Sequence, residues 1–281
     1  MPPELFLVLA FLASLAGGLL GSLTGLGGGV VIIPILVLLM GVDMRYAVGA
    51  SLIAVIATSS GAAAAFVREG FTNVRLAMLL EVATVGGAIA GALLAASVPV
   101  PALSVILGVV MLWTAWQSRG APKPVAANVP PDALATKLRL NSTYPSRGED
   151  GTTASTPYHV RNVPGGFGIM VLAGVLSAIV GVGGGILKVL AMDRVMRVPF
   201  KVSTTTSNFM IGVTAAASAG VYLHRGQIEP TIATPVALGA LAGSLIGARL
   251  LPRMPTKVLR LVFAVVVAIA GVQMILKGVK M

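Results

Sequence analysis

Long apolar blocks separated by short polar joints dominate the chain. They run over residues 5–23, 30–40, 46–67, 76–97 and 101–117, and again over 166–182, 186–192, 202–223, 230–248 and 258–276. Most approach the roughly 20 apolar residues with which an α-helix crosses a bilayer core. The pattern predicts an all-α integral membrane protein of about eight to ten helical segments. Between the two groups lies a polar stretch, 118–165, with Pro122, Pro124, Pro130, Pro131, Pro145, Pro157 and Pro164. Prolines at that density bar a continuous spanning helix. The chain therefore divides into a first transmembrane repeat (1–117), a polar linker (118–165) and a second repeat (166–281). Within the linker, the alternating runs 137–144 and 158–161 flank a Gly/Ser/Asp-rich turn and predict a small β-hairpin, with partial disorder as the other reading.

Composition agrees with this picture. The 281 residues are 56% hydrophobic and 10% charged, against roughly 25% charged in soluble domains. A net charge of +11 would suggest nucleic acid in a soluble protein. In a membrane protein it follows from the crowding of basic residues into cytoplasmic loops, so no nucleic-acid partner is expected. Cysteine is absent, which excludes disulfides, thiolate metal sites and thiol catalysis. His159 and His224 fall in polar loops without acidic partners at metal-ligand spacing, and no nucleophile–His–acid set exists. No metal, no cofactor and no enzymatic activity are expected. The opening Met-Pro-Pro-Glu lacks the basic region of a cleavable signal, so the first apolar block is expected to remain as a helix.

An internal repeat organises the blocks. Gly25-Leu26-Gly27-Gly28-Gly29 recurs as Gly181-Val182-Gly183-Gly184-Gly185, an offset of 181 − 25 = 156. The same offset, without a gap, pairs Ser51 with Ser207, Thr58 with Thr214, Gly70 with Gly226, and Gly87 with Gly243. One straight helix over residues 5–39 would be about 52 Å long against a core of about 30 Å, so the glycine cluster must break it. A chain that turns back at each cluster makes the halves inverted. With the linker cytoplasmic, the inverted arrangement places fifteen Lys and Arg inside and four outside, whereas the parallel one gives eleven and eight. The positive-inside rule therefore predicts inverted repeats with broken, re-entrant helices, a cytoplasmic linker and both termini outside.

Candidate chemistry gathers at the breaks. Gly27, Gly28, Gly29, Gly183, Gly184 and Gly185 can expose backbone N–H groups at the start of the following segments, an anion-attracting arrangement. Close helix packing is the alternative. Lys188, inside an apolar run, reads either as a cation for an anion held at the break or as a residue snorkelling to the interface. Glu81 reads as a proton-coupling carboxylate or, more simply, as an interfacial residue beside Arg75. Thr204, Thr205, Thr206, Ser207 and Asn208, with Ser51, Thr58, Ser59 and Ser60 in the other half, offer hydrogen bonds to an oxyanion beyond what helix capping uses. The polar set is lopsided, because Ile32 and Leu52 stand where the second half has Lys188 and Asn208. Gly86, Gly87, Ala90, Gly91, Gly239, Gly243 and Gly247 read as packing faces.

With these residues assembled, the sequence resembles the TauE/SafE sulfite-exporter family. The resemblance rests on the paired glycine clusters, Gly184-Gly185-Ile186-Leu187-Lys188-Val189, and the run from Thr205 to Thr214. It covers roughly residues 5–117 and 165–276. Members usually carry a proline after the second cluster, where this chain has Leu190 against Pro34 in the first. The resemblance implies a transporter of small sulfur-containing oxyanions, such as sulfite or organosulfonates, in the bacterial inner membrane, acting in export. Substrate ligands would come from Gly27, Gly28, Gly29, Ser51, Gly183, Gly184, Gly185, Lys188, Thr206, Ser207 and Asn208. The chain has no P-loop, so transport would be proton-coupled or uncoupled. A passive anion channel and a membrane-embedded enzyme are the rival readings.

Overall fold

In the computed structural model, residues 2–24, 27–68, 70–118, 132–147, 153–250 and 256–281 are described. Among them lie eleven α-helices and one two-stranded hairpin. The first half holds α1 (Pro3–Thr24), α2 (Gly29–Pro34), α3 (Met44–Arg68), α4 (Val74–Ala95) and α5 (Val100–Ser118). The linker holds α6 (Ala133–Lys137), β1 (Ser142–Arg147) and β2 (Thr153–Tyr158). The second half holds α7 (Val163–Val180), α8 (Gly185–Leu190), α9 (Phe200–His224), α10 (Pro230–Leu250) and α11 (Thr256–Lys280). Both short helices continue as a π-helical turn, Ile35–Leu39 after α2 and Ala191–Val195 after α8.

Six helices carry apolar stretches long enough to cross a membrane: Pro3–Ser22, Val74–Ala95, Val100–Gln117, Val163–Val180, Pro230–Gly247 and Phe263–Lys280. Their outer faces show Leu12, Met78, Val82, Leu172, Leu238 and Ile269, the surface a protein presents to lipid. The chain is a multi-pass helical membrane protein. The 25-residue α3 and α9 are less apolar, and bury Ser51, Thr58, Ser59, Thr206, Ser207, Asn208 and Thr214 at the centre. Polar residues on buried faces and apolar ones outside are what a lipid environment selects.

The element order recurs at a fixed spacing. From α2 to α8 it is 185 − 29 = 156 residues, and the same offset separates α3 from α9, α4 from α10 and α5 from α11. Packing crosses between the halves, α1 on α10, α7 on α4, α3 on α9 and α5 on α11. Glycine sets the closeness of three of these contacts. A Cβ on Gly87 or Gly91 would collide with the Val171 or Val175 carbonyl, and one on Gly239 or Gly243 with that of Phe11 or Leu15. These pairings run in the same chain direction on α4/α7 and on α1/α10. On α5 and α11 the order reverses, with Gly108 against Gly271 and Ile275, and Pro101 against Gly278. Gly86 is no packing glycine, since a Cβ there meets nothing within 4 Å.

In the linker, β1 and β2 pair antiparallel from Ser142↔Tyr158 to Arg147↔Thr153. The strands are shifted from the sequence pattern: β1 takes only 142–144 of the run 137–144, and β2 precedes the run 158–161, sharing only Tyr158 with it. Residues 137–140 instead close α6 and turn through Arg139, at φ 53°, because Asp132 caps a helix there by accepting from the Leu134 N–H at 3.1 Å. The turn itself, 148–152, lies outside the described residues. Asn73 ties this layer to the bundle: its Oδ1 caps α4 at the Leu76 N–H, while Nδ2 donates to the Leu140 carbonyl and the Tyr158 hydroxyl, both at 2.8 Å. Burial pushes the Tyr158 phenol above its ordinary pKa, so it stays neutral and serves as that acceptor.

Candidate functional site

The two chain breaks meet at the centre of the bundle. After α1 ends at Thr24, α2 runs back along it. A Cβ on Gly17 would touch Ile32, and one on Gly28 would lie 3.0 Å from the Gly17 carbonyl. The contact recurs 156 residues on, where a Cβ on Gly184 would lie 2.8 Å from the Ala173 carbonyl and 3.0 Å from Ser177 Cβ. Gly27 at φ 80° and Gly183 at φ 78° share a left-handed backbone that only glycine adopts freely. Both face Val55 and Ile211, themselves 156 residues apart.

Serines from the two central helices hold the breaks. Ser51 Oγ donates to the Gly181 carbonyl at 2.8 Å, and Ser207 Oγ to the Gly185 carbonyl at 3.2 Å. Ser59 on α3 donates to the Asn208 carbonyl on α9 at 2.5 Å and accepts from the Gly212 N–H at 3.0 Å. Ser51 and Ser207 thus satisfy backbone carbonyls beside the breaks, and Ser59 ties α3 to the middle of the continuous helix α9.

Beside Gly27 is a cavity of about 10 Å³, lined by Gly21, Ser22, Gly27, Thr58, Ser59, Asn208 and Ile211. That is space for about one water. Asn208 is 5% exposed, and its Nδ2 is buried with no hydrogen-bond partner. An amide donor left open in a dry site is costly unless a ligand or water completes it. Gly27 and Asn208 therefore share one cavity, with Ser51 and Gly183 packed close by. Gly28, Gly29, Gly184 and Gly185 build its surroundings through the chain reversal. Thr206 is elsewhere: its Oγ1 accepts from the Asn73 N–H at 3.1 Å, on the linker side of the bundle.

Lys188 is also turned away from this cavity. It is 0% exposed, so it does not snorkel. Its Nζ donates to Thr214 Oγ1 at 2.5 Å, and Thr214 Oγ1 lies 2.8 Å from Glu81 Oε1, 3.0 Å from the Met210 carbonyl and 3.3 Å from Thr84 Oγ1. A hydroxyl has one proton to give, and the charged acceptor at the shortest distance takes it. The result is a bridged pair, Lys188 ammonium to Thr214 hydroxyl to Glu81 carboxylate. Glu81 is accordingly no interfacial partner of Arg75. Its other oxygen, Oε2, is buried and unpartnered. In the first half the corresponding positions are Ile32 and Thr58, and those matching Glu81 and Thr84 on α10 are Ala237 and Ala240.

Sequence reasoning had no role for Thr214, Thr84 or Ser22. Thr84 sits one turn from Glu81, and Thr214 is the repeat mate of Thr58. Neither spacing says which helix lies opposite.

Six apolar spans and two central helices rich in buried hydroxyls define a polytopic helical membrane protein. The chain belongs to the sulfite exporter TauE/SafE family, whose pattern it matches over residues 10–274. That membership makes it a membrane transporter and not an enzyme. It is similar to the "Probable membrane transporter protein YunE" of Bacillus subtilis (strain 168), 26% identical over 281 residues and covering 98% of each chain. No solved structure matches it.

Proposed function

We propose that the protein is a secondary exporter of a small sulfur-containing oxyanion such as sulfite or an organosulfonate, working in the bacterial inner membrane from two inverted repeats. The observation that carries this reading is the open Nδ2 of Asn208 beside Gly27, Thr58 and Ser59. A neutral amide, hydroxyls and backbone hold an oxyanion without trapping it, as a carrier or filter requires. The one-water volume marks a closed state, which loads when the halves move at the glycine breaks.

Helix direction supports inversion. The α4–α5 link is the short segment 96–99, and the corresponding α10–α11 link spans 251–255. Taking each such pair as one hairpin, the antiparallel contact of α5 with α11 makes α4 oppose α10. The 11-residue segment Gly29–Leu39, about 16 Å long, reaches half a bilayer core and suits a re-entrant element. The charge distribution then puts the linker in the cytoplasm and both termini outside. The repeats at 1–117 and 166–281 act as the moving units.

Glu81 is the coupling carboxylate in this reading. Its unpartnered Oε2 is where a proton would sit, and protonation would free Lys188 from its partner. Lys188 thus acts on the anion through the charge state of the pair, whereas Thr206 positions the linker. Flux of labelled sulfite from proteoliposomes, with and without an imposed pH gradient, tests this. A pH gradient alone should drive net flux, and Glu81→Gln should leave only flux down the sulfite gradient. Flux that follows the anion's electrochemical gradient alone in wild type would make the protein a channel.

A further inference from the structure

A second recess, of about 320 Å³, opens where the linker meets the second half, lined by Asp132, Arg161, Asn162, Val195 and Arg197. It shares no residue with the cavity at Gly27. The Arg161 N–H donates to the Met196 carbonyl at 3.0 Å, which brings the chain leaving the linker beside the loop after α8 and so sets two arginines on one recess. Both side chains are exposed. Among the described residues, neither forms a salt bridge or donates a side-chain hydrogen bond. Asp193 pairs with Arg194 at 3.5 Å and also feels the charge of Arg197, and Asp132, whose Oδ1 accepts from the Leu134 N–H, sets one negative charge on the rim against the two arginines.

Arg197 has φ 58°, a left-handed backbone that a residue with a Cβ enters at a cost. The internal repeat supplies a comparison. Position 197 − 156 = 41 is Gly41, with φ 68°, and both follow the matching π-helical turn by two residues. One backbone conformation is thus met by glycine in one half and by arginine in the other. Packing does not explain the arginine, because its side chain is exposed.

We propose that this recess binds a small, multiply charged oxyanion of the sulfate or phosphate type, held by the guanidinium groups of Arg161 and Arg197. Two planar forks facing one space suit such a ligand, and each can donate two parallel hydrogen bonds. Asn162 adds an amide: its Oδ1 accepts from the Gly165 N–H at 3.3 Å, leaving Nδ2 for the ligand. Either the transported anion or free cytoplasmic phosphate has this chemistry. The inference does not depend on the transport reading, because it needs no anion in the central cavity.

The test uses the full-length protein in detergent with Asn208→Leu, so that the central cavity does not contribute. Thermal unfolding is followed in sulfate, phosphate or sulfite against chloride at equal ionic strength. A ligand that binds only the folded state raises the midpoint. The rise should be present in Asn208→Leu, absent once Arg197→Gly is added, and shifted to roughly tenfold higher anion concentration by Arg161→Gln. In chloride, Arg197→Gly should unfold at or above the parent's temperature, since glycine relieves the left-handed backbone. Rises with phosphate and sulfate alike indicate a general oxyanion site, and a rise with sulfite alone indicates a site for the cargo; both support the proposal. Three results would overturn it: no rise in the parent, a rise that survives Arg197→Gly, or a lower midpoint for Arg197→Gly in chloride. If Asn208→Leu does not purify, the same series on wild type and Arg197→Gly carries the test.

Discussion

Replacing Lys188 by methionine keeps an unbranched stem of similar length and removes one charge from a fully buried position. In the folded protein that charge is matched by Glu81 through Thr214. The variant leaves a partly buried carboxylate facing an apolar side chain. Breaking a buried pair by removing one partner destabilises by about 3–5 kcal/mol. Two features of this site set the expectation at the lower end, about 3 kcal/mol: Thr214 still donates to Glu81, and Glu81 is only half-buried. Glu81→Gln alone leaves the ammonium uncompensated and should destabilise comparably. The double variant leaves no net charge in the site. It should be no less stable than either single variant rather than losing their sum, a coupling of about 3 kcal/mol in a double-mutant cycle. Equilibrium unfolding of the four proteins in mixed micelles measures all of these quantities. If Lys188→Met falls within about 0.5 kcal/mol of wild type and the two changes add without coupling, the bridged pair is not an electrostatic unit. The account of Glu81 as a carboxylate matched to Lys188 would then fail.

Other expectations follow from single contacts. Ser51→Ala removes the hydroxyl that satisfies the Gly181 carbonyl, and should destabilise by about 1–3 kcal/mol, read by the same unfolding assay. Gly243→Leu should prevent α1 from seating on α10 and abolish the folded protein by size-exclusion and protease resistance, because a Cβ there already collides with the Leu15 carbonyl. Gly86→Leu, facing open space on the same helix as Gly87, should be tolerated. For topology, cysteine at the exposed Ser155 should resist impermeant thiol reagents in intact cells. Cysteine at Lys280 should react with them. The reverse pattern would refute the charge-based orientation.

Much of the helical layout was legible because lipid imposes a one-dimensional pattern. Apolar blocks at 76–97 and 202–223 were recovered as Val74–Ala95 and Phe200–His224, since the edges of such blocks coincide with polar joints and caps. The 156-residue offset was legible for the same reason, as glycine spacing is a local record of backbone geometry. The π-helical turns were not, because a register change of one residue leaves no mark in Ile35–Leu39 or Ala191–Val195. Alternation in residues 137–140 misled because Asp132, outside the run, caps a helix ahead of it.

The site was half legible. A lysine in an apolar run announces that it needs a partner, but Glu81 lies 188 − 81 = 107 residues away on another helix. Its connection passes through a threonine with no special surroundings in sequence. Lys188 and Asn208 were both marked out by their absence from the first half. The structure sends them to different places, Lys188 toward α4 and Asn208 toward α1 and α3, because they leave their helices on different faces. Arg197 was invisible as anything but a loop charge until its backbone could be set beside that of Gly41.

The central claim is that Asn208 presents an unmet donor to a transported oxyanion. Calorimetric titration of purified wild type and Asn208→Leu with sulfite, sulfate, an organosulfonate and chloride tests it directly, with Arg197→Gly in both proteins to silence the linker recess. Leucine is what the first half carries at the matching position, Leu52, so the fold should accept it. The account predicts binding of a sulfur oxyanion over chloride in the reference protein. It also predicts a loss on Asn208→Leu of about 1–3 kcal/mol, roughly five- to 150-fold in affinity. Equal affinity in the two proteins would contradict it.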